Sequence, residues 1–375
     1  MRDCKVVKLK DVISTKIQNG FSPLCQEEYS GSWVLSLGAL TGYSFDSSQV
    51  KAVSSSVIMP EEYKLKNNDI LVSRSNTLDK VGRCGVFHEE IENCFYPDLM
   101  MRFRANENVV LTKYLEIVLQ SSFGRKYFQE RAAGTSVSMM KINKKILEDF
   151  SFSLPTLDEQ KKIIEISQEW DSAIEKTEKL ISDKEKIFNF VLKKIFSKKG
   201  STSSLNTIAI INKGKQLNKE NMIPNGIVPV LNGGISYSGF TNCANTKQNT
   251  ITISEGGNSC GYVNYISENF WAGGHCYTLE LKDKGVKTRF LYWMLKSIEK
   301  EIMKLRVGSG LPNIQLNDLN NLKIKIYKED AQCEIIEILD NQQREISLLR
   351  KQLVQYKLQK QSLMQKLLTG EWKVK

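Results

Sequence analysis

The stretch GTSVSMMKINKKILEDFSFSLPTLDEQ occupies residues 134–160, and GSGLPNIQLNDLNNLKIKIYKEDAQ occupies residues 308–332. Each stretch leads from a glycine-containing loop into a long segment without proline or glycine. From Phe150 to Phe196 the first copy pairs without a gap with the second, at the constant offset of 172 that separates positions 150 and 322. A repeat of this length indicates duplicated domains rather than a solenoid.

Residues 157–197 are rich in Lys and Glu and predict one long helix. Thr156 can cap its first turn while the Glu159 carboxylate reaches back to the Thr156 backbone, the capping-box arrangement. Lys198 to Thr202 end the segment.

The second long helix is predicted over about residues 330–368. Gly370 follows it and can adopt the left-handed conformation that ends many helices. Tyr327 and Ala331 stand where the first copy has proline and glutamate, so the capping box is absent from the second copy.

At 1.5 Å per residue each helix is about 60 Å long, whereas a globular domain of this size is roughly 30 to 35 Å across. A seam of residues at alternating spacings of three and four can pack on the preceding globular region or on the other long helix. The overhang favours the second arrangement, a coiled-coil rod. The seam residues are Trp170, Ile174, Ile181, Phe188, Val191, Ile195, Leu339, Ile346, Leu349, Leu353, Tyr356, Leu363 and Leu367.

Composition places the chain among ordinary globular proteins of two to three domains, since 41% of its 375 residues are hydrophobic and 25% are charged. No apolar run approaches the roughly 18 residues of a membrane helix, and the expected location is the cytoplasm. The eight cysteines form no C-x-x-C pair. Cys260, His275 and Cys276 are too few and too unevenly spaced to predict a zinc site, so no metal is expected.

The net charge of +11 favours a polyanionic partner. The excess of Lys and Arg over Asp and Glu is +2 in residues 1–154 and +6 in residues 201–326. The second globular region is therefore the more basic one.

The globular regions share a plan of short β-strands and Gly-containing loops, followed by one amphipathic helix. Residues 70–73 (ILVS) match residues 251–254 (ITIS), and Cys84–Gly85 are paired with Cys260–Gly261. The loops between these anchors differ, as expected if a duplicated frame recognises two different ligands.

Sequence signals for catalysis are missing. There is no phosphate-binding G-x-x-x-x-G-K-[ST] motif, no dinucleotide-binding glycine turn and no Pro-Pro loop of the kind used in base methylation. Pro97 and Asp98 lack the Glu-x-Lys that would complete a metal-nuclease carboxylate set. We expect no catalytic residue on this chain.

The motifs GTSVSMMKIN and LPTLDEQ before one long helix, and GSGLPNIQLN before a second that ends in LLTG, resemble the specificity subunit of type I restriction-modification systems. The resemblance covers essentially the whole chain. It implies an α+β fold in which two globular α/β target recognition domains, in a pseudo-two-fold arrangement, are joined by two long antiparallel helices that form a coiled-coil spacer. The implied boundaries are residues 1–154 and 201–326 for the recognition domains, and residues 155–200 and 327–375 for the spacer.

The resemblance also implies a non-catalytic subunit that binds double-stranded DNA, each recognition domain reading one half of a bipartite target. Two modification subunits would dock on the spacer and methylate adenine, and motor-nuclease restriction subunits would join them. No cofactor is expected on this chain, and S-adenosylmethionine is expected on the modification subunit. A rod of about 60 Å spans just under two turns of B-DNA.

Base readers are expected among polar residues beside basic ones, because Arg pairs with guanine, Asn or Gln pairs with adenine, and Lys binds phosphate. The candidates in the first domain are Lys16, Gln18, Asn19, Arg74, Ser75, Asn76, Lys80, Arg83, Thr135, Ser136 and Lys141. The candidates in the second domain are Lys213, Lys215, Gln216, Asn232, Tyr237, Asn258, Ser259, His275, Ser309 and Asn313.

Two other functions stay open on the sequence. A non-catalytic coiled-coil scaffold could carry two domains that bind protein or carbohydrate, and it would lack the steep salt dependence of phosphate binding. An enzyme with an unrecognised site would modify bases by itself.

Overall fold

The computed structural model describes residues 5–42, 45–134, 139–308 and 312–374. The chain divides into two compact units. Unit 1 comprises Met1–Thr177 and Gln352–Lys375, and unit 2 comprises Glu178–Lys351. Each unit therefore contains one globular region and a part of each long helix.

Among its described residues, unit 1 has two four-stranded sheets and two short strand pairs. Its strands are β1 (Lys5–Lys8), β2 (Gln18–Asn19), β3 (Cys25–Gln26), β4 (Trp33–Leu35), β5 (Val50–Val53), β6 (Asp69–Ser73), β7 (Ser75–Asn76), β8 (Cys84–Phe87), β9 (Cys94–Phe95), β10 (Met100–Phe103), β11 (Met140–Lys141) and β12 (Ser151–Leu154). The central sheet has the order β2-β10-β6-β8 and is antiparallel. The second sheet has the order β3-β5-β4-β9, and β1 pairs with β12 and β7 with β11.

Strand β6 is buried on both faces. Ile70 and Val72 belong to the core shared with the helices, whereas Leu71 belongs to the core shared with the second sheet. Alternate residues of a strand point to opposite faces, which explains this division. The helices of unit 1 are α1 (Thr112–Gln120), α2 (Ser122–Arg131), α3 (Lys144–Glu148), the first part of α4 (Leu157–Ser197) and the last part of α9 (Glu329–Leu368).

Unit 2 repeats this plan. Its strands are β13 (Ser201–Ser204), β14 (Ala209–Lys213), β15 (Val228–Leu231), β16 (Gly239–Thr241), β17 (Thr250–Ser254), β18 (Val263–Ile266), β19 (Trp271–Ala272), β20 (Cys276–Leu281) and β21 (Lys323–Ile326). Its helices, besides the end of α4, are α5 (Leu205–Ile208), α6 (Thr288–Ser297), α7 (Glu299–Lys304), α8 (Leu316–Asn321) and most of α9 (Glu329–Leu368). The central sheet has the order β14-β20-β17-β18, equivalent to β2-β10-β6-β8 in unit 1. The predicted α+β class, with two repeated units and two long helices, is confirmed.

The predicted pairing of Cys84–Gly85 with Cys260–Gly261 is wrong. Gly261 is equivalent to Gly82, because each donates its backbone N–H at 2.8 Å to the serine that ends the preceding central strand. These glycines have φ of 71° and 87°, a conformation that favours glycine. The loop before this glycine is shorter in unit 2, so matching the cysteines placed the copies out of register.

The prediction of one amphipathic helix in each globular region was incomplete, because a second helix follows each. In unit 1 the break lies at Ser121, whose backbone is extended at ψ 158°. Its hydroxyl accepts a hydrogen bond from Gly124 N–H at 3.1 Å and so caps α2.

The predicted limits of the long helices are confirmed to within one residue by α4 and α9. Thr156 N–H donates to the Glu159 carboxylate at 2.9 Å, and Glu159 N–H donates to Thr156 Oγ1 at 3.3 Å, as the capping box requires. Gly370 has φ 75°, the left-handed cap predicted after α9.

One buried glutamine fastens the first turn of each long helix to the segment before α1 or α6. Gln160 accepts from Leu111 N–H at 2.8 Å and donates to Val109 O at 3.1 Å and Pro155 O at 3.0 Å. It is fully buried. The shared DEQ and DAQ motifs are therefore structural.

Gln332 makes the equivalent three bonds in unit 2. It accepts from Lys287 N–H at 2.9 Å and donates to Gly285 O at 2.8 Å and Tyr327 O at 2.9 Å. It is also fully buried. Tyr327 replaces Pro155, yet its carbonyl accepts the same bond, so the second helix starts in the same way without a capping box.

Within unit 1, α4 and α9 run antiparallel. Ile163 lies in the same core as Leu367, while Trp170, further along α4, packs edge-on against Tyr356 at 5.8 Å between ring centroids. Lys360 of α9 donates to the Asp171 carboxylate of α4 at 2.5 Å.

Within unit 2 the same two helices are again antiparallel. Lys184 Nζ lies 2.7 Å from Glu345, whereas Ile195, further along α4, lies next to Tyr327 before the start of α9. Seam residues near the helix ends belong to the globular cores, and Trp170 of α4 contacts Tyr356 of α9, so both arrangements considered from the sequence occur. The seam residues are all buried or half-buried: Trp170, Ile174, Ile181, Phe188, Val191, Ile195, Leu339, Ile346, Leu349, Leu353, Tyr356, Leu363 and Leu367.

Candidate nucleic-acid interface

In unit 1 the polar edge of the central sheet lies at the carboxyl end of β6, where Arg74 is the first residue after the strand. Arg74 N–H donates to Leu99 O at 2.8 Å, and Arg74 O accepts from Ile142 N–H at 2.9 Å. Its guanidinium, which is half-buried, donates from Nη1 to Asp98 O at 3.2 Å. In the described part of unit 1 no carboxylate lies within ion-pair distance of Arg74, so its charge is not neutralised there.

Glu255 occupies the equivalent position in unit 2, immediately after β17. Its N–H donates to His275 O and its C=O accepts from Ile314 N–H, both at 2.9 Å. These are the two backbone bonds that Arg74 makes. The repeated frame therefore carries opposite charges at one position.

The Glu255 carboxylate is 11% exposed and has three polar side chains close to it. Oε1 accepts from Lys213 Nζ at 2.6 Å and from Tyr277 OH at 3.1 Å. His275 Nδ1 lies 3.5 Å from Oε2, and that oxygen is buried without a hydrogen-bond partner among the described residues. Lys213 and His275 are 55% and 67% exposed, so both cationic neighbours reach solvent while the carboxylate does not.

Two thiols and one tyrosine hydroxyl at this edge are neutral at ordinary pH. Burial raises the pKa of the Cys276 thiol to about 12, and burial followed by the nearby Glu255 charge raises the pKa of Tyr277 to about 12. Burial also raises the pKa of Cys260, whose Sγ donates to Glu255 O at 3.0 Å. A neutral buried thiol is a poor nucleophile. The exposed donors at this edge are the Lys213 ammonium, which is paired with Glu255, and the His275 ring.

Three predicted residues of the first domain, Ser75, Asn76 and Lys141, lie next to Arg74, and a fourth, Asn19, lies across β10 from the end of β6. Asn19 ends β2, and its Oδ1 is buried without a described hydrogen-bond partner. Ser75 and Asn76 form β7, which pairs with Lys141 of β11. These residues and Arg74 form one polar edge.

The remaining described candidates of the first domain lie away from Arg74, except that the Arg83 carbonyl accepts from Ser73 N–H at 2.8 Å. Gln18 Oε1 accepts from Arg102 at 2.9 Å, and exposed Lys16 precedes β2 towards the opposite end of the sheet. Lys80 and Arg83 lie in the loop between β7 and β8, with Arg83 Nη2 3.7 Å from Asp79. Thr135 and Ser136 lie outside the described residues.

In unit 2 the structure gathers Lys213, His275, Asn232, Ser259 and Asn313. Ser259 Oγ donates to the carbonyl that follows Asn232 at 2.8 Å, and Asn232 Oδ1 is buried without a described partner. Asn313 forms a β-bridge to the residue after Glu255.

The other candidates of the second domain are more dispersed. Asn258 is exposed in the loop after β17, and Lys215 and Gln216 are exposed after β14. Tyr237 lies between β15 and β16 of the three-stranded sheet β16-β15-β19, where its OH donates to Glu268 at 2.8 Å. Ser309 lies outside the described residues.

Glu255 is the residue that sequence reasoning missed. Acidic residues were not considered as DNA readers, although the matched ILVS and ITIS segments are followed directly by Arg74 and Glu255. The opposite charges of Arg74 and Glu255 at aligned positions were the signal in the sequence that could have identified Glu255.

The described residues contain no group of three or more His, Cys, Asp or Glu side chains that could hold a metal ion. Among the described helices, none is both long and apolar enough to cross a membrane.

A sequence profile of the type I restriction modification DNA specificity domain matches residues 1–182 and 198–356. A type I specificity subunit of Mycoplasma pneumoniae is 40% identical to the chain over 126 residues. That match covers 33% of this chain and 33% of the relative, so only about a third of each protein is aligned.

The specificity subunit of the type I restriction enzyme MjaX of Methanocaldococcus jannaschii is 24% identical over 407 positions, covering 100% of this chain and 94% of that protein. The crystal structure of a type I restriction-modification S subunit from M. genitalium superposes with a TM-score of 0.63 at 19% identity, covering 97% of this chain and 96% of that one. At 19% identity, this structural similarity shows only that the two proteins share a fold.

Proposed function

Because the chain belongs to the family of type I restriction-modification DNA specificity subunits, we propose that it binds double-stranded DNA and reads a bipartite target, one half-site for each unit. The observation that carries the proposal is the repeated polar edge. Its backbone frame is the same in both units, while Arg74 and Glu255 differ in charge. A repeated frame with different readers suits two unlike half-sites.

The charges at the edges support DNA as the ligand. Lys141 and Arg74 in unit 1, and Lys213 and His275 in unit 2, present donors beside Asn side chains. Lys and Arg bind phosphate, and Arg and Asn can also pair with base edges in the major groove. A protein or carbohydrate ligand is not favoured by any specific observation.

The long helices supply a docking surface for modification subunits. On α4 within unit 2, Leu180, Ile187 and Phe190 are 44%, 55% and 64% exposed and are spaced to share one face. An exposed apolar stripe on a helix suits a helical partner. We assign this stripe to one of two modification subunits, which restriction motor-nuclease subunits then join.

The chain itself supplies recognition rather than chemistry in this proposal. S-adenosylmethionine binds to the modification subunits, which methylate adenine in the half-sites in the cytoplasm. The length of the helical spacer fixes the gap between the half-sites.

The test is to purify the full chain with its modification subunits and methylate a library of randomised duplexes. We expect methylated molecules to share two short sequences separated by a constant gap. Affinity should also fall steeply between about 50 and 200 mM salt, because phosphate contacts release counterions. Methylation without sequence preference would contradict the proposal, and base modification by the chain alone would indicate an enzyme.

A further inference from the structure

We propose that one position of the repeated frame, Arg74 in unit 1 and Glu255 in unit 2, determines which base pair each unit prefers. The inference rests on the proposed function, since it names the residues that distinguish the half-sites. The two residues make equivalent backbone hydrogen bonds, so a difference in base preference comes from their side chains and the neighbours that those side chains hold.

Arg74 is a direct reader. One guanidinium nitrogen, Nη1, is anchored on Asp98 O at 3.2 Å, which restrains the side chain and leaves the other donors available. The planar fork of Arg matches N7 and O6 of guanine, the commonest specific contact in the major groove. The chemistry at this position in unit 1 therefore selects a G·C pair.

Glu255 is a positioning residue. Its carboxylate is nearly enclosed, so it does not reach a base itself, and its charge is opposed by Lys213 at 2.6 Å. The same carboxylate lies 3.5 Å from His275 Nδ1. It thereby holds one exposed donor, the Lys213 ammonium, and lies beside a second, the His275 ring, in place of the single Arg fork. Unit 2 thus reads its base pair through Lys213 and His275.

The experiment for unit 1 compares Arg74→Lys with the wild-type chain, each in complex with the modification subunits, on the randomised library. Lysine keeps the charge and loses the planar fork, so discrimination for guanine at one position of one half-site should fall by about 5-fold to 150-fold. The other half-site is the internal reference and should not change. Lys66→Gln, which removes an exposed charge before the opposite end of β6, is the matched control and should leave both half-sites unchanged.

The experiment for unit 2 uses Glu255→Gln, which keeps the shape of the side chain and removes its charge. We expect weaker discrimination at one position of the other half-site, together with unchanged or higher affinity for non-specific DNA and a steeper salt dependence, because a repelling charge is lost. Damage to the fold would instead lower specific and non-specific affinity together and lower the melting temperature. Lys284→Gln, an exposed change in the loop beyond the far end of β20, is the control.

The outcomes separate the two proposals. A wild-type complex without a bipartite preference refutes the proposed function. A bipartite preference that both Arg74→Lys and Glu255→Gln leave unchanged refutes only the inference about this position. A Glu255→Gln variant that loses all DNA affinity and also melts at a lower temperature refutes the same inference.

Discussion

Replacing the buried glutamine at the start of α9 should loosen unit 2 selectively. In Gln332→Ala, the Lys287 N–H and the Gly285 and Tyr327 carbonyls lose their partner, at distances that are now 2.8 to 2.9 Å. The side chain is fully buried, so its removal also opens a small cavity that water can enter only in part.

The magnitude follows from the three orphaned groups. A buried donor or acceptor without a partner costs about 1 to 3 kcal/mol, and partial access to water favours the lower figure for each. We therefore expect a loss of about 3 kcal/mol in the free energy of unfolding of unit 2. For a unit of this size that corresponds to roughly 6 to 12 °C in melting temperature.

Urea unfolding of the full chain, combined with hydrogen exchange, measures the effect. Exchange should accelerate in the segment around Lys287 and at the start of α6, and stay unchanged at the equivalent segment around Leu111. Gln342→Ala is the matched control, because Gln342 lies on the same helix and its Oε1 has no described hydrogen-bond partner. A loss below about 1 kcal/mol for Gln332→Ala, or one equal to that of Gln342→Ala, would refute the reasoning.

Further changes have defined outcomes. Thr156→Ala should lower the free energy of unfolding by about 1 kcal/mol near neutral pH. Hydrogen bonds from Thr156 lower the pKa of Glu159 below its ordinary 4.5. In pH-dependent urea melts the stabilisation by this cap should therefore be present above about pH 4.5 and lost as the pH falls through the folded-state pKa of Glu159. Asp69→Asn should destabilise unit 1 by about 3 kcal/mol in urea melts, because Arg104 at 2.6 Å loses a buried counter-charge. Leu349→Asp with Leu353→Asp should abolish assembly with modification subunits in size-exclusion chromatography, whereas circular dichroism should show retained strand content. One helical turn inserted into both long helices should change the gap in the methylated target and leave both half-sites intact.

The local signals in the sequence were reliable where one residue type meets one backbone requirement. Thr156 and Glu159 predicted the start of α4, and Gly370 predicted the end of α9, because caps are satisfied within a few residues. The equivalence of Gly82 and Gly261 was missed, because it depends on a hydrogen bond across a loop whose length differs between the copies.

The candidate DNA-reading residues also show which features depend on residues that are distant in the sequence. Asn19 and Arg74 are far apart in the sequence, and they come to the same region of one sheet only because β2 and β6 flank β10. Gln18, one residue before Asn19, is instead occupied by Arg102. Successive residues of β2 point to opposite faces of the sheet, so Gln18 and Asn19 meet different neighbours, and a list of polar residues cannot show which.

By itself the sequence determined the duplication, the two long helices, the family and the absence of familiar catalytic motifs, since these depend on periodicity, caps and motif order. The tertiary structure decided that the DEQ and DAQ glutamines bind backbone groups, and that Glu255 holds Lys213 and approaches His275. Those roles depend on which distant backbone and charged groups come within about 3 Å, where hydrogen bonds and ion pairs gain their strength. Such distances are set by the packing of the sheets and helices.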